Sequence, residues 1–329
     1  MAKKRGIGMA CMWYGIGNTG MPNPASAFVE LLDDGSAIVL TGCADIGQGS
    51  STILAQIAAE ALGISYEDIV VVSADTGVTP EAGATSASRQ TYISGNAVLA
   101  ASLEAKRNVL MAAAEMLGNV PISDLSIEKG KIILEGEETH LTLKEVVGYC
   151  RSRGILTLGH GWFNPETTAM DPVTGEGVPY ATYAFATHIV EVEVDTETGK
   201  VEVKRIVAAH DVGKAMNPAA VEGQIEGGCV MGIGYALMEE VKLKEGRILN
   251  PSLAEYFIPT ALDIPQIYPI IVEDPETTGP FGAKGVGEPA LIPTAPAIAN
   301  ALADALDIRF YELPITLEKI VEAYHYQKP

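Results

Sequence analysis

The stretch GPFGAKGVGEPA, residues 279–290, places one carboxylate, Glu288, among glycines at 279, 282, 285 and 287, with Pro289 directly behind it. A glutamate in that setting serves neither a helix nor a strand. Flanking glycines permit positive φ and present no Cβ to hold a ligand away. The proline stiffens the residues behind it. Apolar sequence after the loop would strip part of the water from Glu288, and a partly desolvated carboxylate suits general-base work. Pairing with Lys284 would favour the opposite state, and a flexible surface loop is the plain alternative.

Three further stretches carry chemistry of their own. GQGSST (47–52) is a glycine turn opening a helix, which offers backbone N–H groups and a favourable dipole to an anion. Gln48 adds an amide that both donates and accepts, as a heterocycle edge requires. A tight turn with a capped helix would look the same. GATSASRQT (83–91) supplies small side chains, hydroxyls and Arg89, donors suited to a phosphate or a ring edge. A flexible linker is the alternative, although linkers seldom join a buried strand to a strong helix. NPAAVEGQIEGG (217–228) puts Gln224 at the expected start of a helix.

Other patterns exclude chemistry. GIGNTG (15–20) has dinucleotide-fingerprint spacing, but that fingerprint needs a strand before it and a helix after it. No strand is evident there, and Met21-Pro22-Asn23-Pro24 blocks the helix. No GxxxxGK[ST] is present. The histidines at 140, 160, 188, 210 and 325 lack metal spacing and read as ordinary satisfied side chains. Cys11, Cys43, Cys150 and Cys229 lie far apart, which fits a reducing cytoplasm.

Periodicity places these motifs on elements. Residues 27–42 read as a hairpin turning at Asp33–Ser36. Residues 44–64 pass from the glycine loop into a helix with Ser50, Ser51 and Thr52 as caps and Gly63 as stop. Residues 67–75 read as a buried strand, 76–95 as a long loop and 96–118 as a helix. A hairpin about Lys129-Gly130 and a short helix near 142–152 come next. The second half echoes the first: a hairpin over 187–211 turning at 195–199, a loop, a glycine-set glutamine and a helix over 224–241. A last helix is expected over 294–306. The stretch 163–180 is rich in Pro, Gly and Thr and marks the boundary between subdomains 1–170 and 171–329. The class is α+β.

The chain has 329 residues, 47% of them hydrophobic, with a formal net charge of −20. It can bury a large core. The charge disfavours nucleic acid and anionic membranes as partners. The N-terminus is basic and then partly apolar, but glycines interrupt it and it reads as mature sequence. No run is long enough to cross a bilayer.

Taken in order, GQG..T...QIAAEALGI, DVG...NP....GQIEGG...GIGYAL.EE and GPFGAKGVGEPA resemble the molybdenum hydroxylases, the xanthine dehydrogenase and aldehyde oxidase family. The resemblance runs from about residue 27 to 310 and covers the C-terminal, molybdopterin-binding portion of that family's large polypeptide. It implies two mixed α/β subdomains and a Mo-molybdopterin cofactor. The expected form is the cytosine dinucleotide, with a terminal sulfido or selenido ligand. It also implies partners: a larger molybdopterin subunit with the N-terminal Mo domain, an iron–sulfur subunit with two-iron two-sulfur clusters, and an FAD subunit. Glu288 matches the family's base. Ile46, Gly47, Gln48 and Gly49 match one cofactor loop and Thr85, Ser86, Ala87 and Ser88 another. Gln224 and Val286 match further contacts. The pterin dithiolene holds the metal, so no residue here is expected to ligate it. The implied reaction is hydroxylation of a small N-heterocycle, nicotinate to 6-hydroxynicotinate, with water as oxygen source and NADP as a related acceptor. Purine, aldehyde, aromatic acyl thioester and carbon monoxide oxidation are the alternatives within the family. A non-catalytic scaffold is the alternative outside it.

Overall fold

Alternation of apolar and polar residues builds most of the strands, and the computed structural model of the chain describes residues 3–326. In chain order they begin with β1 (Lys3–Gly15), β2 (Ala25–Leu31), β3 (Ala37–Thr41), α1 (Ser50–Leu62), β4 (Ile69–Ser73) and α2 (Gly95–Met116). Next come β5 (Leu125–Glu128), β6 (Lys131–Leu134), β7 (Glu137–Thr142), α3 (Leu143–Arg153) and β8 (Leu158–Phe163). The chain continues with β9 (Tyr183–Asp195), β10 (Val201–Asp211), α4 (Pro218–Leu237), β11 (Leu243–Lys244), β12 (Arg247–Ile248), β13 (Gln266–Val272), α5 (Thr294–Leu306) and α6 (Leu317–Tyr326).

The chain forms two compact units, and they are not contiguous in sequence. One comprises 1–14, 183–274 and 286–329; the other comprises 15–182 and 275–285. The sequence reading instead divides the chain once, at 170/171. Hydrogen bonding accounts for the difference: β1 joins β9, β10 and β13 in a four-stranded sheet of order β1-β9-β10-β13. The other unit holds a sheet of order β4-β3-β2-β8 and a three-stranded sheet β5-β6-β7.

The internal echo is a structural repeat. In each unit an antiparallel hairpin (β2–β3, β9–β10) leads through a helix (α1, α4) to a strand pairing in parallel with the hairpin's second strand (β4 on β3, β13 on β10). Each sheet then lets a helix approach a glycine strand at backbone distance. A Cβ on Gly159 or Gly161 of β8 would lie 2.0 or 1.8 Å from the carbonyl oxygens of Ala101 and Ala97 in α2. A Cβ on Gly6 or Gly8 of β1 would lie 2.1 or 2.2 Å from those of Ala301 and Ala297 in α5. Only glycine permits such contact.

Several expected elements stand, with corrections. The 129–130 turn has φ of 50° and 73°, the paired left-handed values of a tight hairpin. Helix α3 starts on a capping box between Thr142 and Glu145. Helix α5 spans the expected residues. Helix α4 begins earlier than expected because Asn217 caps it and Pro218 occupies its first turn. The strand after α1 is no buried strand: β4 is the sheet edge, and Val70 is 55% exposed. A strand, β1, does precede GIGNTG, but the next element is the strand β2, so the dinucleotide fingerprint still lacks its helix.

The core of the first unit gathers Val190, Val192, Ile206, Ile225, Ile298 and Leu302 beneath α4 and α5. The opposite alternation of the sheet is also apolar. Ile7, Met9, Trp13, Phe185, Ile189 and Ile270 are 42–71% exposed, more apolar surface than the solvent-facing side of a lone sheet ordinarily shows. Among the described residues, no helix is long and apolar enough to cross a membrane.

Candidate functional site

The first candidate loop precedes α1. Gly47 and Gly49 have φ of 102° and 80°, values that require glycine, and a Cβ on either would meet nothing within 4 Å. Space therefore lies open in front of them. The sequence reading expects this turn to offer its N–H groups to an anion, with Ser50, Ser51 and Thr52 as caps. The structure corrects both points. Helix α1 has Gly49 at its cap and no side-chain cap bond. The Asp45 carboxylate accepts from the N–H groups of Gly47 (2.9 Å), Gly49 (3.4 Å) and Ser51 (3.1 Å). Burial pushes the Asp45 carboxyl upward, but the N–H groups of Ser51, Gly47 and Gly49 outweigh it and hold it below its ordinary value. Asp45 thus fills the anion cradle itself. Gln48 turns back on its own loop, accepting from Ile46 N at 2.7 Å and donating to Ala44 O at 3.3 Å and Ser50 Oγ at 2.9 Å. Ile46 is left 74% exposed.

The second candidate loop is laced to the first. Thr85 Oγ1 donates to Ala44 O at 2.7 Å, and Gln90 Nε2 donates to Thr85 Oγ1 at 3.1 Å. Ser86 is exposed. Ala87 and Ser88 are left-handed at φ of 52° and 51°, a strained backbone for residues with a Cβ. Gly17 N bonds Ala87 O at 2.9 Å, and Gly285 packs so closely that a Cβ there would lie 1.9 Å from Ser88 O. Arg89 is no ligand donor, contrary to the sequence reading. It is 1% exposed, and its guanidinium donates to Asn23 Oδ1 and to the carbonyls of Asn23, Pro24, Ala82 and Ala84.

Glu288, Val286 and Gln224 lie in the other unit. Gln224 is half-buried in the second turn of α4, not at its start. Val286 packs against the core cluster. Glu288 is exposed, so this chain does not desolvate it by burial. Its carboxylate accepts a hydrogen bond from the Tyr14 hydroxyl. Its carbonyl accepts from Leu291 N at 3.1 Å, and the buried Ala290 sits where a Cβ on Gly228 of α4 would come within 2.5 Å of it. The glycines around Glu288 serve partly the loop itself. A Cβ on Gly279 would lie 2.3 Å from Ala283 O, and Gly282 takes a left-handed φ of 87°. Lys284 is buried and acts on Glu276, whose carboxyl burial raises but Thr182, Thr278 and Lys284 together hold low. Tyr14 and Asp45 are the residues sequence reasoning missed. An Asp just ahead of a glycine turn is a legible cap signal; Tyr14 gives none.

At the start of α5 lies a buried imidazole pair, where the sequence reading expects ordinary satisfied histidines. His188 and His210 meet Nε2 to Nε2 at 2.7 Å, and His188 Nδ1 lies 2.9 Å from Thr294 Oγ1. Among the described residues His210 Nδ1 is buried without a hydrogen-bond partner. An orphan acceptor is less costly than an orphan donor, so His210 donates from Nε2 and His188 donates from Nδ1 to Thr294. Burial pushes His188 down to about 3, with His210 adding to the effect, and burial pushes His210 down to about 4. Both are neutral when folded, while the unfolded chain takes up protons below about pH 6.5. Their stabilisation is complete above that pH and is lost as pH falls towards 4 and then 3. Each should contribute a slope of at most about 1.4 kcal/mol per pH unit. Urea unfolding stepped from pH 7 to 4 should show this slope, and the double variant His188→Leu/His210→Leu should flatten it.

The described residues contain no group of three or more His, Cys, Asp or Glu placed to hold a metal ion. The family model for the molybdopterin cofactor-binding domain matches residues 1–265. The chain belongs to that family. It is 36% identical over 98% of its length to the putative xanthine dehydrogenase molybdenum-binding subunit of Escherichia coli K12, of which it spans 42%. It is 31% identical over 97% of its length to the 6-hydroxypseudooxynicotine dehydrogenase complex subunit gamma of Paenarthrobacter nicotinovorans, spanning 39% of that protein. The structure superposes on quinoline 2-oxidoreductase from Pseudomonas putida 86 with a TM-score of 0.87 at 30% identity, covering 99% of this chain and 42% of that one. The fold of this molybdopterin cofactor-binding domain is therefore that of the molybdenum hydroxylases. The chain spans well under half the length of these relatives. The interlocked loops leave open space in front of Gly47 and Gly49 and expose Ser86, while Asp45 takes the anion nest.

Proposed function

We propose that this chain is the catalytic molybdopterin-binding part of a molybdenum hydroxylase acting on an N-heterocycle, with nicotinate the first substrate to test and 6-hydroxynicotinate its product. The observation that carries the reading is the exposed Glu288 carboxylate, held on the turn before α5 by backbone and side-chain bonds. The names of two similar proteins, on quinoline and on a hydroxylated pyridine derivative, support the N-heterocycle class. A purine is the second reading, favoured by the 36% identity to a putative xanthine dehydrogenase subunit.

Ile46–Gly49 and Thr85–Ser88 would line the cofactor, with Gln224 and Val286 as further contacts. When bound, the molybdopterin supplies the redox chemistry and activates water as the oxygen source. Glu288 accepts the proton released as water becomes the nucleophile. The cytosine dinucleotide form, a cytoplasmic location, and partner chains carrying the remaining Mo domain, iron–sulfur clusters and FAD belong to the same proposal. The exposed apolar sheet face supports a partner chain. The deciding experiment is metal and pterin analysis of the natively purified protein, followed by reduction with nicotinate, xanthine and an aromatic aldehyde in turn. Full loading without reduction by any N-heterocycle would overturn the substrate class.

The loop assignment has its own test. Ser86 is exposed, so Ser86→Trp adds bulk without crowding the core. Molybdenum and pterin content should fall severalfold while the unfolding midpoint stays that of the parent. Gly47 is a poorer probe, because its φ of 102° strains any replacement. Parental cofactor content in Ser86→Trp would remove this loop from the cofactor site.

A further inference from the structure

We infer that Tyr14 is the positioning residue for the Glu288 carboxylate; the inference rests on the reading of Glu288 as base. The two residues lie 274 positions apart, and the phenol hydroxyl donates to Glu288 Oε2. The donor's place is fixed by a rigid frame. Gly6 of β1 packs on the backbone of Ala301 and Ala305, and Gly8 on that of Ala297 and Ala301, so β1 runs antiparallel to α5. Ile7 N donates to Asp304 Oδ2 at 2.9 Å, and Asn300 Nδ2 donates to Met9 O at 2.9 Å. Continued along the strand, this register delivers Tyr14, at the end of β1, to the turn that precedes α5. The acceptor's backbone is fixed from the other side, where Gly228 of α4 closes on Ala290.

A carboxylate on an exposed turn otherwise samples several rotamers, and orienting it beforehand is part of its usefulness. The Tyr14 bond fixes the direction of the carboxylate through Oε2. The repeat sharpens the point. Ala97 and Ala297 make the same strand contact in their own units. Counting back equally from each, 97 to 88 and 297 to 288, reaches Ser88 in one unit and Glu288 in the other. Only the unit whose glycine strand ends in Tyr14 carries a carboxylate there.

The test compares Tyr14→Phe, Glu288→Gln and, as the control, Tyr66→Phe at an exposed tyrosine in the natively assembled, cofactor-loaded protein. Infrared difference spectra identify the carboxylate stretch that Glu288→Gln removes. That band should shift in Tyr14→Phe and stay in place in Tyr66→Phe, with molybdenum content and thermal midpoint unchanged. Losing a hydrogen bond to a charged group should lower kcat about ten- to hundredfold and leave KM within about twofold. If Tyr14→Phe does not fold, 3,5-difluorotyrosine at position 14 keeps the ring and strengthens the donor, and the band should shift in the opposite direction. An unmoved band in folded protein, or a raised KM with parental kcat, overturns the positioning role. Parental turnover in Glu288→Gln overturns the base reading alone, since the band shift still reports the pairing.

Discussion

Glu288→Gln should lose at least roughly 10²–10⁴-fold in turnover, the range that general-base catalysis contributes. The substitution keeps the shape of the side chain and its capacity to accept from Tyr14, but removes the proton acceptor. The defect should fall on the half-reaction in which substrate reduces the cofactor, while reactions with an artificial donor at the electron-acceptor end should survive. Cofactor content should remain that of the parent, because the carboxylate is assigned to the substrate. Stopped-flow reduction by substrate, with molybdenum quantified in the same sample, reads both. A parental reduction rate in fully loaded Glu288→Gln protein would leave residues 279–290 as a packing loop, and a scaffold that only completes a partner's cofactor site would become the better reading.

The features legible in the sequence are local ones. Helix α5, the 129–130 hairpin and the capping box of α3 obey short-range rules. β1 is not legible, because its glycines resemble loop punctuation. They are instead where α5 presses its backbone on the strand, and that partner lies nearly 300 residues away. β8, with the sequence LGHGWF, hides for the same reason beneath α2. The apolar run IVVVS of β4 reads as a central strand, yet strand order makes it an edge. The candidate loops show the same division. Their glycines and hydroxyls stand out in sequence, but the wiring that shapes them does not. Asp45 taking the α1 cradle, Tyr14 reaching Glu288 and Arg89 underpinning the 84–90 loop are tertiary facts.

That underpinning makes Arg89→Met the second substitution expected to have a large effect, here on stability. Arg89 joins the segment before β2 to the candidate loop by donating to Pro24 O at 2.8 Å, Asn23 O at 3.1 Å and Ala84 O at 3.2 Å. It also donates to Ala82 O and to Asn23 Oδ1. Burial pulls its guanidinium below its ordinary value, against Cys43 and Glu81, which act to raise it. Its planar fork meets carbonyls on two segments together, a task three ammonium donors on a flexible stem do not reproduce. Methionine would fill much of the volume but leave those carbonyls buried without a donor, at a cost of about 3–5 kcal/mol. Arg89→Lys should recover only part of that. Urea denaturation of both variants gives the ranking, with Met least stable, Lys intermediate and the parent highest. Cofactor content should fall in the same order even in folded protein, because Ala87 and Ser88 hold left-handed conformations that strain residues with a Cβ, in a turn closed by Arg89 N on Ser86 O at 3.2 Å. An Arg89→Met protein as stable as its parent would mean that water replaces the guanidinium without loss, and that the strained 87–88 backbone is held from another side.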